Sequence, residues 1–142
     1  SSKPAAPWTE RLHRGAAMAV DVWPETLEVA SAGEDGQLLV LNASNPNPPA
    51  PTVICGPSDN TLRAARWVSS STIATAGTHC GIRLWDTRAA ANGSPVLATQ
   101  WGDVAGAAAE ACAGILGLDV LRARPHLACA GTEGGAVAVW DL

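Results

Sequence analysis

Short apolar runs bounded by Gly, Pro, Asn and Asp recur along this chain, the pattern of strands rather than helices. The first group predicts strands over Ala17 to Val22, Leu27 to Ala32 and Gln37 to Leu41. A proline-rich loop at 45–51 follows, incompatible with a central strand, and then Thr52 to Cys55 as an outer strand. The second group repeats the order at 62–68, 72–77 and 82–85, with an outer strand at 95–100. The third gives 115–120, 127–130 and 136–140, with no fourth run. Asp35-Gly36 between apolar runs is a strong hairpin signal, because both residue types tolerate positive φ. The fold class expected is therefore all-β.

Aligned on their turns, the three groups say the same thing. Gly36, Gly81 and Gly135 mark the turns, and the run after each closes on Leu41-Asn42, Trp85-Asp86 or Trp140-Asp141. The glycines recur at intervals of about 45 and about 54 residues. An insertion at 101–113, rich in Ala and Gly, accounts for the longer spacing; it reads as a short helix or a loop excursion. This succession resembles the WD40 repeat, whose period is about 40 to 45 residues and whose blades close into a β-propeller. The resemblance implies about three blades of a seven-bladed ring. The expected boundaries are a lead-in segment or the end of a preceding blade at 1–16, blades at 17–56 and 57–100, the insertion, and an incomplete blade at 114–142. A propeller needs about 4 to 8 blades to close, so the chain reads as a fragment of a longer protein.

Composition narrows the classes. Hydrophobic residues make up 47% and charged residues 15%, enough for a core with a sparsely charged surface. The net charge of −4, with no Lys/Arg cluster, leaves no electrostatic footprint for direct nucleic-acid binding. No segment reaches the ~18 apolar residues of a membrane span. With six Trp and neither Phe nor Tyr, Trp carries the aromatic packing: Trp67, Trp85 and Trp140 are expected in the core, whereas Trp8, Trp23 and Trp101, outside the repeated strands, are more open to a surface-anchor role. Cys55, Cys80, Cys112 and Cys129 show no Cys-x-x-Cys spacing. They read as reduced thiols in an intracellular compartment.

Catalytic chemistry finds no footing. His13, His79 and His126 lie in the lead-in segment, a turn and a loop, away from any nucleophile motif. Gly131 to Gly135 precedes a strand and cannot serve as a phosphate loop, which needs a helix N-terminus. His79-Cys80 lacks further ligands for a metal. No cofactor is implied. Asp21 and Asp119 occupy equivalent places in the first strands, which predicts a repeated structural role such as satisfying turn amides.

Two finer resemblances bear on function. Gly33-Glu-Asp-Gly-Gln-Leu, Asn60-Thr-Leu-Arg-Ala-Ala, Gly81-Ile-Arg-Leu-Trp-Asp-Thr-Arg88, Leu118-Asp-Val, Pro125-His-Leu and Trp140-Asp141 occur in this order. Their succession is similar to the small single-propeller WD-repeat nucleoporins of the Y-shaped outer-ring complex. That implies a non-enzymatic protein-interaction scaffold at the nuclear pore, with other outer-ring nucleoporins as partners. Trp85-Asp86-Thr87-Arg88 also resembles the box that WD40 substrate receptors of cullin-4 ubiquitin ligases present to their adaptor, which makes Asp86 and Arg88 candidate adaptor contacts. The loops at 45–51 and 101–113 are further candidate binding surfaces. Open blade edges would favour self-association.

Overall fold

The computed structural model describes residues 9–44, 50–89, 94–104, 106, 108–124 and 126–142. Eleven strands form three antiparallel meanders among these residues. The first sheet joins β1 (Ala17–Trp23), β2 (Glu28–Gly33), β3 (Leu38–Asn42) and β4 (Thr52–Cys55) in sequence order. The second joins β5 (Leu62–Ser69), β6 (Thr72–Gly77), β7 (Arg83–Asp86) and β8 (Leu97–Ala98). The third holds β9 (Ile115–Val120), β10 (Leu127–Thr132) and β11 (Val137–Asp141), with β11 at its edge.

Register makes the three sheets superimposable position by position. Leu41 opposes Val29, Trp85 opposes Ile73 and Trp140 opposes Ala128. One step in from these pairs, Ser31, Thr75 and Ala130 are equivalent. In the first strands, Asp21, Arg66 and Asp119 are equivalent, each opposite a small residue: Ala30, Ala74 or Cys129. Each first strand also carries an irregularity near its start, at Met18, Arg63 and Leu116. An extra residue there bends the strand and increases its twist.

The sheets stack in chain order with β1, β5 and β9 side by side. Between the first and second lies a cluster of large side chains, including Leu38, Val40, Ile54, Leu62, Trp67, Ile73 and Trp85. Between the second and third the cluster is built on Ala64, Ala74, Ala76, Ala128, Ala130 and Ala138, filled by Ile82, Ile115 and Trp140. Alternation explains the sidedness: along β9 to β11, residues facing the second sheet are buried and their neighbours are exposed. The free face includes Val137 and Val139.

The turns differ from the sequence expectation in one respect. Gly36 and Gly135 have φ of 80° and 86°, but Asp35 has no positive φ. Hydrogen bonds Gly36 N–H to Gly33 O and Gly135 N–H to Thr132 O place each glycine at the end of a β-turn, the arrangement of a longer hairpin loop. Gly81 is required for a different reason, since a Cβ there would lie 2.1 Å from Thr99 O. Leu27, expected to open a strand, instead ends the preceding turn with φ 57°.

The 101–113 insertion is neither a continuous helix nor a free excursion. Its described residues include short 3₁₀ turns at Trp101–Asp103 and Ala109–Ala111, and they are pinned to the third sheet. Trp101 packs edge-on against Trp140 at 6.1 Å, Trp101 Nε1–H donates to Ala108 O, and Thr132 Oγ1–H donates to Ala111 O.

Candidate functional site

The first strands bring together a charged cluster that spans all three sheets. Asp21, on β1, is the hub: Oδ2 accepts the Trp67 backbone N–H at 2.9 Å and Arg122 Nη2–H at 3.1 Å. Arg66 Nη1 stands 3.8 Å from Asp21 Oδ1. The guanidiniums also bind backbone carbonyls, Arg66 Nε–H to Leu118 O and Arg122 Nε–H to Trp67 O. Trp67 Nε1–H closes the set on Asp21 O. Arg122 lies 5.2 Å over the Trp23 ring, and Trp23 packs on Trp67 at 6.4 Å. Trp23 and Trp101 thus pack inward rather than serving as surface anchors, and Trp8 lies outside the described residues.

Asp21, Arg66 and Arg122 line an open groove with Val22, Pro24, Val120 and Asp119. The Asp21 carboxylate is 11% exposed, while the Arg66 and Arg122 side chains remain 45% and 41% exposed. The groove therefore presents two half-exposed guanidiniums on a buried acidic anchor. Asp119, at the register position of Asp21, is exposed and accepts only the N–H of its own neighbour Val120 among the described contacts. Asp21 and Asp119 were expected to share one role, yet Asp21 bridges sheets and Asp119 bridges none among the described residues. Arg66 and Arg122 carry no sequence signal, because Arg66 reaches Leu118 52 residues away and Arg122 reaches Trp67 and Asp21 at separations of 55 and 101.

A second polar set sits at the other end of the first sheet. His13 Nε2 lies 2.7 Å from Ser31 Oγ, and His13 Nδ1 lies 3.0 Å from Asp35 Oδ1. The order of atoms is that of a nucleophile, base and acid. Access decides its role: Ser31 is 3% exposed and His13 5%, so no substrate carbonyl reaches the hydroxyl. Gly33 makes room for the ring, since a Cβ there would lie 2.3 Å from His13 Nδ1. Burial pushes the Asp35 carboxyl up, but hydrogen bonds from Gln37 Nε2, Arg14 N–H, Gln37 N–H and His13 outweigh it and hold it at about 2. The set ties the lead-in segment to the β2–β3 turn.

The repeated positions have structural duties. Trp85 and Trp140 are 3% and 5% exposed. Trp85 Nε1–H donates to Thr75 Oγ1 at 2.9 Å, whereas Trp140 Nε1 has no partner among the described residues. Asn42 and Asp86 both accept the N–H two residues on, from Ser44 and Arg88. Short polar side chains commonly close turns this way. Asp141 is exposed and stands 3.9 Å from His126 Nε2. Arg88 folds back on Asp86 through Nε and Nη2, each at 3.2 Å, and is 76% exposed. This pairing holds the Asp86 carboxyl below its ordinary range and raises Arg88.

The cysteines depart from the expectation of free thiols. Cys80, in the β6–β7 turn, is bonded to Cys112 at the end of the insertion, with a Cα–Cα distance of 6.1 Å. The bond bridges the second and third sheets and removes Cys80 as a partner for His79 in a metal site. Cys55 and Cys129 are free, and Cys129 is exposed on the free face. Burial raises the Cys55 thiol, and it lowers His79, which nearby Arg83 lowers further. No group of three His, Cys, Asp or Glu among the described residues is placed to hold a metal ion. None of the described helices is long and apolar enough to cross a membrane.

The molecule is thus an all-β protein of three stacked antiparallel sheets with a charged groove along their first strands. No family model matches the chain, and no curated protein matches it.

Proposed function

We propose that the three sheets are blades of a WD-repeat β-propeller and that the chain is a non-enzymatic protein-interaction scaffold of the nuclear pore's outer ring. The observation that carries the blade reading is the shared register, with Leu41, Trp85 and Trp140 at one position and the three first strands side by side. Stacked units of this kind bury their faces only against one another. They offer loops and an inner-strand groove to partners while keeping their polar clusters occupied in holding the stack. The scaffold reading gains support from the His13–Ser31–Asp35 set, whose hydroxyl is sealed from substrate.

Other outer-ring nucleoporins are the proposed partners, and the nuclear envelope the proposed location. There the compartment is reducing, so Cys80 and Cys112 would stand as thiols and the second and third sheets would be held by apolar packing and the hydrogen bonds of Arg66 to Leu118 O and Arg122 to Trp67 O. The experiment is to tag the protein in cells, image it and identify what co-purifies. A nuclear-rim signal with outer-ring subunits is expected; a diffuse signal and a pulldown without them would defeat the assignment.

A second reading rests on the exposed Asp86–Arg88 fork, a rigid charged feature suited to the adaptor of a cullin-4 ligase. Arg88→Ala would abolish adaptor co-purification with folding intact. Adaptor absent from the wild-type pulldown removes this reading.

A further inference from the structure

We propose that the groove along the first strands is a binding site for an acidic side chain, a carboxylate carried in an extended segment of a partner protein. Charge carries the argument. The chain has only nine Lys and Arg residues and a net charge of −4, yet two of those cations converge on one carboxylate. Arg122 Nη2–H donates to Asp21 Oδ2 at 3.1 Å, and Arg66 Nη1 stands 3.8 Å from Asp21 Oδ1. One acid neutralises one base, so the three groups leave a positive charge over, on guanidiniums whose side chains are 45% and 41% exposed. A single carboxylate on their open side balances it.

Both arginines are already held in place. Arg66 Nε–H is bound to Leu118 O and Arg122 Nε–H to Trp67 O, with Arg122 also lying over the Trp23 ring. A guanidinium carries five N–H groups, and these contacts leave Arg66 Nη2 and Arg122 Nη1 with no acceptor among the described contacts. A planar fork fixed in this way loses little further freedom when a carboxylate arrives. Asp119, the other acid on the lining, does not take that place. Leu118 and Val120 on either side of it are buried against the second sheet, so its side chain projects from the opposite side of β9. It pairs with neither arginine among the described residues.

The shape selects the middle of a chain and not its end. Arg66 is shared by two hollows: the groove toward Pro24 and Arg122, of about 520 Å³, and a second of about 230 Å³ that runs along β5 between Val20 on β1 and Leu116 on β9. Val20 and Leu116 are 68% and 52% exposed. A segment laid along β5 sets its acidic residue on the guanidiniums and continues on both sides of them. Apolar neighbours of that residue then meet Val22 and Pro24 one way and Val20 and Leu116 the other. β5 belongs to the middle sheet and packs against both β1 and β9, so both walls of the site are formed within the chain. The proposal rests on the protein-interaction reading, to which it adds a partner chemistry, and is independent of the nuclear-pore assignment.

The test is fluorescence anisotropy of a labelled peptide, blocked at both ends, whose single glutamate is flanked by valines. The full chain is expected to bind it, and about tenfold or more weaker when the glutamate is replaced by glutamine. Arg66→Gln and Arg122→Gln should each weaken binding by about the same factor. Arg14→Gln, which removes an exposed cation at the other end of the first sheet, should leave it unchanged. Arg122→Lys keeps the charge without the fork and should weaken binding less; it guards against a Gln variant that fails to fold, which near-UV circular dichroism would reveal. No binding, equal binding of the glutamine peptide, or binding indifferent to both arginines would overturn the site. Tighter binding of a peptide whose one carboxylate is a free chain end would overturn the extended segment. Pulldowns from cells separate this failure from that of the interaction reading. Partners recovered equally by wild type and by the two Gln variants reject only the groove, whereas a bound peptide with no protein partner recovered rejects the scaffold.

Discussion

The two interfaces between sheets bury comparable stretches of chain by opposite means. The first is filled by Leu38, Val40, Ile54, Leu62, Trp67, Ile73 and Trp85, large side chains projecting from both sheets. The second is floored by six alanines, filled by Val68, Ile82, Ile115, Leu118, Val120 and Trp140, and reinforced by material from outside the sheets: Trp101 against Trp140, and Cys112 bonded to Cys80. Alanine lets two sheets approach but supplies little apolar area, and apolar area is what stabilises, at roughly 25 cal/mol per Å². The insertion at 101–113 compensates for that thin core. A stretch that looks dispensable along the chain is the fastening of the third sheet.

This contrast predicts where the molecule is most easily broken. Trp67→Ala removes the largest fully buried side chain, together with the indole Nε1–H that donates to Asp21 O. It should cost about 4 kcal/mol, read as a lowered urea midpoint with loss of the Trp near-UV signal. Reducing the Cys80–Cys112 bond, or replacing both by Ala, opens a loop with a sequence separation of 32. The loop-entropy relation puts that at about 3 to 4 kcal/mol, and the loss should fall on the third sheet, seen as faster hydrogen exchange in β9 to β11 with β1 to β4 protected. Uniform loss of protection would mean that the two interfaces are not separable.

Acid should attack the opposite end. The Asp35 carboxyl is held at about 2 against an ordinary 3.8. A group whose folded pKa is depressed contributes stability above its unfolded value, and that contribution is lost as pH falls through the folded value. Between about pH 4 and about pH 2, the first sheet should therefore lose about 2 kcal/mol. The side chain is only 7% exposed, so solvent screening takes little from this figure. Asp35→Ala should lower stability at neutral pH and flatten the acid limb of the stability profile. An unchanged slope would show that Asp35 is not what ties His13 and the lead-in segment to the turn.

Much of this architecture was legible from residues a few positions apart. Alternation and Gly-bounded turns located every sheet, because strand and hairpin signals are local, and Trp67, Trp85 and Trp140 fell in the core as expected. What could not be read depends on how sheets stack. Cys80 and Cys112 share no spacing motif, and they meet only when a turn of one sheet faces the insertion of the next. Arg66 and Arg122 look like ordinary surface cations until Asp21 and Trp67 are brought beside them. His13 lies 18 and 22 residues from its partners, with nothing local to connect them. Of the residues singled out beforehand, Asp86 and Arg88 pair with each other, and the glycines serve turns and close approaches; the groove residues other than Asp21 and Asp119 were missed.

The smallest expected effects give the finest comparison, because they exchange one hydroxyl between the two interfaces. Thr75 and Ala130 are register equivalents, each one step in from a buried Trp. Trp85 Nε1–H is satisfied by Thr75 Oγ1, while Trp140 Nε1 has no partner among the described residues at 5% residue exposure. Thr75→Val keeps the shape and removes the acceptor, so the indole N–H is stranded at about 1 to 3 kcal/mol. Ala130→Ser offers Trp140 the acceptor it lacks and should return about 0.5 to 1 kcal/mol, the net worth of a hydrogen bond after its own desolvation. Opposite shifts of the urea midpoint, with unchanged slope, are the signature. If Ala130→Ser destabilises instead, the alanine floor of the second interface is too tight to admit even one oxygen, and close approach rather than hydrogen bonding governs that side of the molecule.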